Sequence, residues 1–367
     1  MALENKTHTG AVLSDLSKAF DCLPHQLIVA KFNAYGLSTK SCALLWSYLS
    51  DRIQRVKLSG TMSDWQQLLK GVPQGSVMGP VMFNVFINDL FAIIKKSTLT
   101  NYADDNTISA SKSTRVELVQ TLTSESETAI KWFRDNYMEA NASKFQAIIL
   151  NDSDTNTFNI DREIILSTDT VKLLGVTIDS KLSFTPHIKE VCRKAAAQIS
   201  ALQRLQNLLD YHARMTIFST FITSQFKYCS LIWHFCGEVN TAKMERLQYR
   251  ALKFVFKDKT ATYSELLERA KIPTLQLSRK RAIILEVYKA VHHLSPKFLW
   301  DIFREKSQPY NLRNQGQMER TTKRTKRFGT DTFSDYGAKL WNSIPNNVKD
   351  LDIKQFKVWL ATWSDNV

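Results

Sequence analysis

The chain holds only five cysteines, Cys22, Cys42, Cys192, Cys229 and Cys236, scattered and odd in number. None stands at a Cys-x-x-Cys or zinc-knuckle spacing, which argues against a structural zinc site. Reduced thiols in an intracellular protein, nuclear or cytoplasmic, are the simplest reading. No apolar run approaches the ~18 residues that span a membrane, so no membrane partner is expected. The start, Met1-Ala2-Leu3-Glu4-Asn5-Lys6, carries no signal-peptide core. Internal repeats and low-complexity linkers are missing. Acidic residues are in deficit, 35 against 49 Lys and Arg, for a net charge of +14. A surplus of that size suits polyanionic partners, although a merely basic surface would have it too. It is uneven: residues 272–367 hold 17 Lys or Arg against 9 Asp or Glu.

What is present is a folded globular chain, 44% apolar and 23% charged. Its 367 residues allow two or three domains. The most informative stretch is Tyr102-Ala103-Asp104-Asp105. Leu99 and Thr100 precede it and Thr107 and Ile108 follow, which predicts a β-hairpin with two acids at its tip. Adjacent like charges repel, and an apolar setting makes this worse. Such a pair is kept mainly where cations neutralise it, as in a two-metal phosphoryl-transfer site with ions about 3.5–4 Å apart.

Val12 and Leu13 lead into Asp15 as a short buried strand would. On a neighbouring strand, Asp15 would join the acid pair; taken singly, it is as readily a turn or cap residue. Three carboxylates suit Mg²⁺, which prefers oxygen ligands. Gly71-Val72-Pro73-Gln74-Gly75-Ser76 is a tight loop whose glycines allow close backbone approach to a ligand. Its exposed N–H groups suit phosphates or base edges, and an ordinary turn before a helix is the plain alternative.

Other elements follow from caps and periodicity. Ser38 caps a helix reaching about Leu49. Val56 to Leu58 is expected to be a strand. Pro80 opens an apolar helix, buried all round. Thr114 and Glu117 form a capping box before a long amphipathic helix that includes Val116, Leu118, Leu122, Ile130 and Phe133. Phe145 to Leu150 reads as a strand returning to the same sheet, and Val171 to Ile178 as another, interrupted by Gly175. From Pro186 the texture is helical, at about 186–208, 211–235, 240–257 and 276–293, with Ser264 capping a further helix. A boundary near residue 185 is expected.

Together these segments resemble the reverse transcriptases. Asp15-Leu16-Ser17-Lys18-Ala19-Phe20-Asp21, Gly71–Ser76 and Tyr102–Asp105 stand in the order of motifs A, B and C. Asn141-Ala142-Ser143-Lys144 resembles motif D, and Leu173-Leu174-Gly175-Val176 resembles motif E. The wording, with Pro24-His25 after the first motif and His187 after Leu-Gly-Val-x-Ile-Asp, is similar to non-LTR retrotransposons of the jockey-like group. The match covers about residues 11–190, and Leu340-Trp341-Asn342-Ser343-Ile344-Pro345 is similar to their downstream region.

The resemblance implies an α/β (α+β) polymerase palm with partial fingers over 1–185. A helical thumb-like region over 186–270 and a basic, mostly helical region over 271–367 would follow. It implies an RNA-directed DNA polymerase that joins a dNTP to a primer 3′-hydroxyl on an RNA template, the element's own RNA among them. Asp15, Asp104 and Asp105 would hold two Mg²⁺ ions, with Mn²⁺ as a substitute. Phe20 would be the steric gate against a 2′-hydroxyl. Gln74 and Gly75 would line the template and nucleotide pocket. Lys144 would act as general acid or phosphate contact, and Leu174 and Gly175 as primer grip. Asp21 would be structural, and Tyr102 would pack near the primer end. Lys189, Arg193 and Lys194 would face duplex phosphates, and the basic run Arg320–Arg327 would bind RNA or serve as a nuclear address. Only ten residues precede Ala11, so the upstream fingers and endonuclease of the family are expected to be absent and activity alone to be weak or nil. A non-catalytic nucleic-acid-binding remnant, or a domesticated element protein, is the main alternative. A two-metal nuclease is a second, which the Pro-Gln-Gly loop disfavours.

Overall fold

A computed structural model describes residues 3–306, 317–320 and 322–364. The chain divides into two compact units, one running through Gly175 and the other from Val176 onward. The division falls ten residues ahead of the boundary expected from texture. It lies in the break between strands Thr170–Leu173 and Val176–Asp179, where Leu174 and Gly175 have φ of 46° and 83°.

The first unit is built on strand β1 (His8–Ser14), in which buried residues alternate with half-buried ones from Thr9 onward. Helices α1 (His25–Ala34), α2 (Thr39–Leu49) and α3 (Met78–Ile87) follow. Next come β2 (Thr98–Tyr102), β3 (Asp105–Lys112), helix α4 (Arg115–Asp135) and β4 (Gln146–Leu150). The four strands form one antiparallel sheet in the order β4-β1-β3-β2, with β1 inside it. Its apolar core joins Val12, Ile108, Ala147 and Ile149 to Phe83, Phe86, Leu118, Leu122 and Phe133. Gly10 lets these layers approach: a Cβ there would lie 2.9 Å from the Ile148 carbonyl oxygen and 3.4 Å from Leu118.

Ser38 caps α2 by accepting from the Ser41 N–H. Several local expectations need correction. Pro80 is the third residue of α3, not the first; early N–H groups lack intrahelical partners anyway, so proline is tolerated there. Nor is α3 buried all round, since Met78 and Val81 stand exposed beside buried Met82, Phe83 and Phe86. Thr114 accepts from Glu117 N–H, but the Glu117 carboxylate takes the Ser113 hydroxyl, so only half of that capping box forms. Val116 remains exposed. The strand expected at Val56–Leu58 is reduced to Lys57–Leu58 paired with Thr61–Met62. Beside it Ile53–Gln54 pairs with Gln66–Gln67, and these eight residues are all exposed.

The second unit is mainly helical: α5 (Thr185–Leu205), α6 (Glu238–Phe256), α7 (Tyr263–Ala270), α8 (Leu275–Val291), α9 (Phe333–Asn342) and α10 (Ile353–Thr362). The helix expected through 235 ends instead at Lys227, after a π-helical stretch at Phe218–Thr223. The true cap of α7 is Thr262, in a complete capping box with Glu265; Ser264 lies inside the first turn. One apolar cluster joins Ile188, Ile199, Trp233 and Leu252, and another joins Ile284, Tyr288, Trp341 and Phe356. In the basic run, Arg320 is tied to buried Asp335 at 2.8 Å and Arg327 donates to the Lys181 carbonyl; Thr321 lies outside the described residues. All five cysteines are free thiols. Among the described residues, no helix is long and apolar enough to cross a membrane.

The Asp179 carboxylate, buried, organises the turn into α5. It accepts from Ser183 N–H at 2.7 and 2.8 Å, the Ser183 hydroxyl at 2.7 Å and Phe184 N–H at 3.0 Å. Asp179→Ala would strand those N–H groups and is expected to cost about 2–4 kcal/mol in urea denaturation. A loss under about 1 kcal/mol would show that the turn does not depend on this carboxylate.

Candidate active site

Strand register assembles the acids. In the β1–β3 ladder Leu13 faces Thr107 and Ser14 faces Asn106. Asp15 is the next residue on one strand and Asp105 the preceding one on the other, so both emerge at the same end of the sheet. The β2–β3 hairpin pairs Tyr102 with Asp105, leaving Ala103 and Asp104 as its two-residue turn. Ala103 takes a φ of 52°. A left-handed alanine costs about 1–2 kcal/mol, and such strain collects at functional turns.

Two asparagines brace that turn. Asn101 donates from Nδ2 to the Ala103 carbonyl at 2.7 Å and to Asn106 Oδ1 at 2.8 Å. Asn106, only 2% exposed, donates from Nδ2 to the Asp104 carbonyl at 3.0 Å. Neither was singled out in the sequence, where their symmetric flanking of Tyr-Ala-Asp-Asp is the signal.

Asp15, Asp105, Asn106, Lys144, Gln146 and Lys172 line one half-open cavity of about 400 Å³. Lys172 and Gln146 are further residues the motifs did not indicate. Burial raises the pKa of the Asp105 carboxyl, and Asp104 and then Asp15 raise it further. The carboxyls of Asp104 and Asp15 thus both act electrostatically on Asp105. Lys144, on the short turn Ala142–Lys144, brings Nζ to 3.6 Å from Asp15 Oδ2 with both side chains half-exposed. A pair this open is worth under ~1 kcal/mol.

The donor chemistry is all carboxylate oxygen, which fits a hard divalent cation. The geometry is looser. Asp104 does not line the cavity, and among the described residues no three His, Cys, Asp or Glu side chains are gathered as a metal-holding group.

Phe20, Gln74 and Gly75 do not line this cavity either. The Phe20 ring is half-buried and stacks on Phe83 with centroids 4.5 Å apart. Gln74 donates from Nε2 to Asp21 Oδ1 at 2.9 Å. The two loops are bonded back to back: Gly71 N–H donates to the Leu23 carbonyl at 2.8 Å, and Val72 N–H to that of Phe20 at 2.9 Å. Gly71 has φ of 91°, and a Cβ on it would lie 2.9 Å from Asp21 backbone, so only glycine fits. Gly75, φ 80°, has open space around it. Tyr102 is 67% exposed.

Residues 1–178 match the family described as reverse transcriptase (RNA-dependent DNA polymerase). This first part of the chain is a reverse-transcriptase domain. The relatives it is similar to are named as RNA-directed DNA polymerases of transposons and mobile elements. The chain is 27% identical over 268 residues to the "Probable RNA-directed DNA polymerase from transposon BS" of Drosophila melanogaster, covering 69% of this chain and 30% of that protein. It is 23% identical over 264 residues to the "RNA-directed DNA polymerase from mobile element jockey" of the same fly, covering 69% and 29%. The chain thus spans under a third of the length of these curated relatives. Among solved structures, apo telomerase from Candida Tropicalis, truncated from its C-terminal domain, overlaps 48% of this chain and 35% of its own. The TM-score is 0.36 and the identity 13%, too slight a likeness to bear on the fold.

The folded-state pKa of Asp105 lies above its unfolded value. Its ionised form therefore costs stability at neutral pH, and that cost fades as pH falls into the carboxylate range. Asp105→Asn is expected to melt at or above the wild-type temperature near neutral pH, with the gap closing toward about pH 4. A lower melting point at neutral pH would overturn the repulsion argument. Asn106→Ala is expected to speed amide exchange at residues 101–106 without melting the sheet; unchanged exchange would show that the turn stands without its brace.

Proposed function

We propose that this chain is the polymerase part of a non-LTR retrotransposon protein and carries out RNA-directed DNA synthesis. The observation that carries this reading is the β1–β3 register, which sets Asp15 and Asp105 at one end of the sheet beside Lys144 and the braced Asp104 turn. Mg²⁺ or Mn²⁺ ions bound to Asp15, Asp104 and Asp105 would supply Lewis-acid activation of a primer 3′-hydroxyl and neutralise the triphosphate. The carboxylates' part is to present oxygen at a shared edge, their repulsion favouring cation uptake. Lys144, released from Asp15, would contact the phosphates or give a proton to the departing pyrophosphate. Phe20, propped by Phe83, would close the sugar pocket against a 2′-hydroxyl. Gln74, held by Asp21, and Gly75 would line the side facing template and nucleotide.

The substrates on this reading are an RNA template, the element's own RNA included, a DNA primer and dNTPs, in the nucleus or cytoplasm. Residues 1–185 would be palm with partial fingers, 186–270 a thumb and 271–367 a basic C-terminal region. A second reading, a non-catalytic nucleic-acid-binding remnant, is favoured by the Lys144–Asp15 ion pair and by the ungathered carboxylates.

Primer extension on an RNA template with Mg²⁺ or Mn²⁺ separates the two. Extension by the wild type, weak for this chain alone, and its abolition in Asp104→Asn while template–primer binding persists are the expected result. Undiminished synthesis by Asp104→Asn would sink the assignment, and binding with no synthesis under either metal would favour the remnant.

A further inference from the structure

We propose that His25 is a positioning residue of the nucleotide site, one that fixes the spacing between Phe20 and the loop of Gln74 and Gly75 and thereby sets the preference for deoxyribonucleotides. His25 opens α1 and is 7% exposed. Its Nε2 lies 2.8 Å from the Gly71 carbonyl oxygen. A carbonyl only accepts, so Nε2 carries the proton and His25 donates. The N–H of that same peptide group belongs to Val72 and donates to the Phe20 carbonyl at 2.9 Å. One peptide plane is therefore gripped at both ends, its oxygen by His25 and its N–H by the backbone of Phe20.

The grip matters because glycine gives the plane no side chain to hold it. Gly71 stands at φ 91°, in backbone that only glycine adopts readily. Gly71 N–H donates to the Leu23 carbonyl at 2.8 Å, and Pro24 bridges to Lys70. These bonds tie down the base of the loop but leave the Gly71–Val72 plane to His25 and Phe20. Farther along, Gln74 and Gly75 are exposed, and a Cβ on Gly75 would meet nothing within 4 Å. The tip therefore takes its position from the base, aided by the Gln74 amide on Asp21 Oδ1 at 2.9 Å. The Phe20 ring is held separately, stacked on Phe83. The gap between ring and loop is then a backbone quantity, and His25 is a buried side chain that sets it.

Other roles fit the geometry less well. His25 does not line the cavity of Asp15 and Asp105, and its Nε2 proton is spent on a backbone carbonyl. Proton exchange with a substrate is therefore not its work. A plain structural anchor would affect folding and leave nucleotide choice alone. The proposal rests on the polymerase reading for the roles of Phe20, Gln74 and Gly75. On that reading a looser gap acts twice. It loses contacts to a dNTP, and it relieves the clash between Phe20 and a 2′-hydroxyl, so deoxy- and ribonucleotides respond differently.

The test uses the full chain on a template–primer whose primer ends in a dideoxynucleotide, so that no synthesis is needed. A fluorescent templating base reports the affinity for the matching dNTP and rNTP. H25A is expected to weaken dNTP binding about tenfold and rNTP binding less than about twofold, the loss that one hydrogen bond accounts for. H25Q, whose amide N–H reaches the same carbonyl, should restore most of the preference, and amide exchange at Gly71 and Val72 should be faster in H25A than in H25Q. If H25A fails to fold, H25N replaces it, because its shorter amide falls short of Gly71. An unchanged dNTP preference, an equal loss of both nucleotides, or an H25Q as impaired as H25A would overturn the proposal. A wild type that binds neither nucleotide would refute the polymerase reading instead. Exchange would then decide the hold of His25 on the loop: equal rates at Gly71 and Val72 in H25A and H25Q would sink it, and faster exchange in H25A would sustain it.

Discussion

One pairing register governs the candidate site. With Leu13 opposite Thr107 and Ser14 opposite Asn106, two acids some ninety residues apart in sequence emerge at one sheet end. A slip of a single residue would turn every side chain of β1 to the other face. Val12 would leave the core and Asp15 would leave its cavity. The core contacts of β1 with Phe83, Leu118 and Ile149 therefore protect the chemistry as well as the fold. Gly10 belongs to the same constraint, since any side chain there would push β4 and α4 away.

The site works against the stability of the unit that holds it. Asp104 and Asp15 both disfavour the charged form of Asp105, and an alanine stands in left-handed backbone at the tip. Buried Asn106, spanning from Asn101 to the Asp104 carbonyl, offsets part of this locally. Lys144 relieves part of the charge. The result is a sheet end prepared for positive charge from outside, with one lysine already leaning into it.

The order and spacing of Asp15, the Gly71–Ser76 loop and Asp104-Asp105 made the first unit legible in sequence, because glycine, proline and paired acids carry strong local constraints. The strand at Gln146–Leu150 and the cap at Ser38 were legible for similar reasons. Less legible was anything decided by three-dimensional competition. Glu117 chose Ser113 over its own helix cap, and Glu190 pairs with Arg193 and Lys194, two of the three cations expected to face phosphate. The apolar texture from Pro80 to Ile94 suggested burial, yet Val81, Phe91 and Ile93 face outward.

The paired ribbons between Ile53 and Gln67 expose Ile53, Val56, Leu58, Met62 and Trp65. Side chains of that kind attract copies of the same chain. Each strand there is only two residues long, so its free edge offers too few consecutive backbone groups for another molecule to zip onto. The arm therefore shows apolar side chains without an edge long enough to template ordered pairing, a property written into strand length rather than composition.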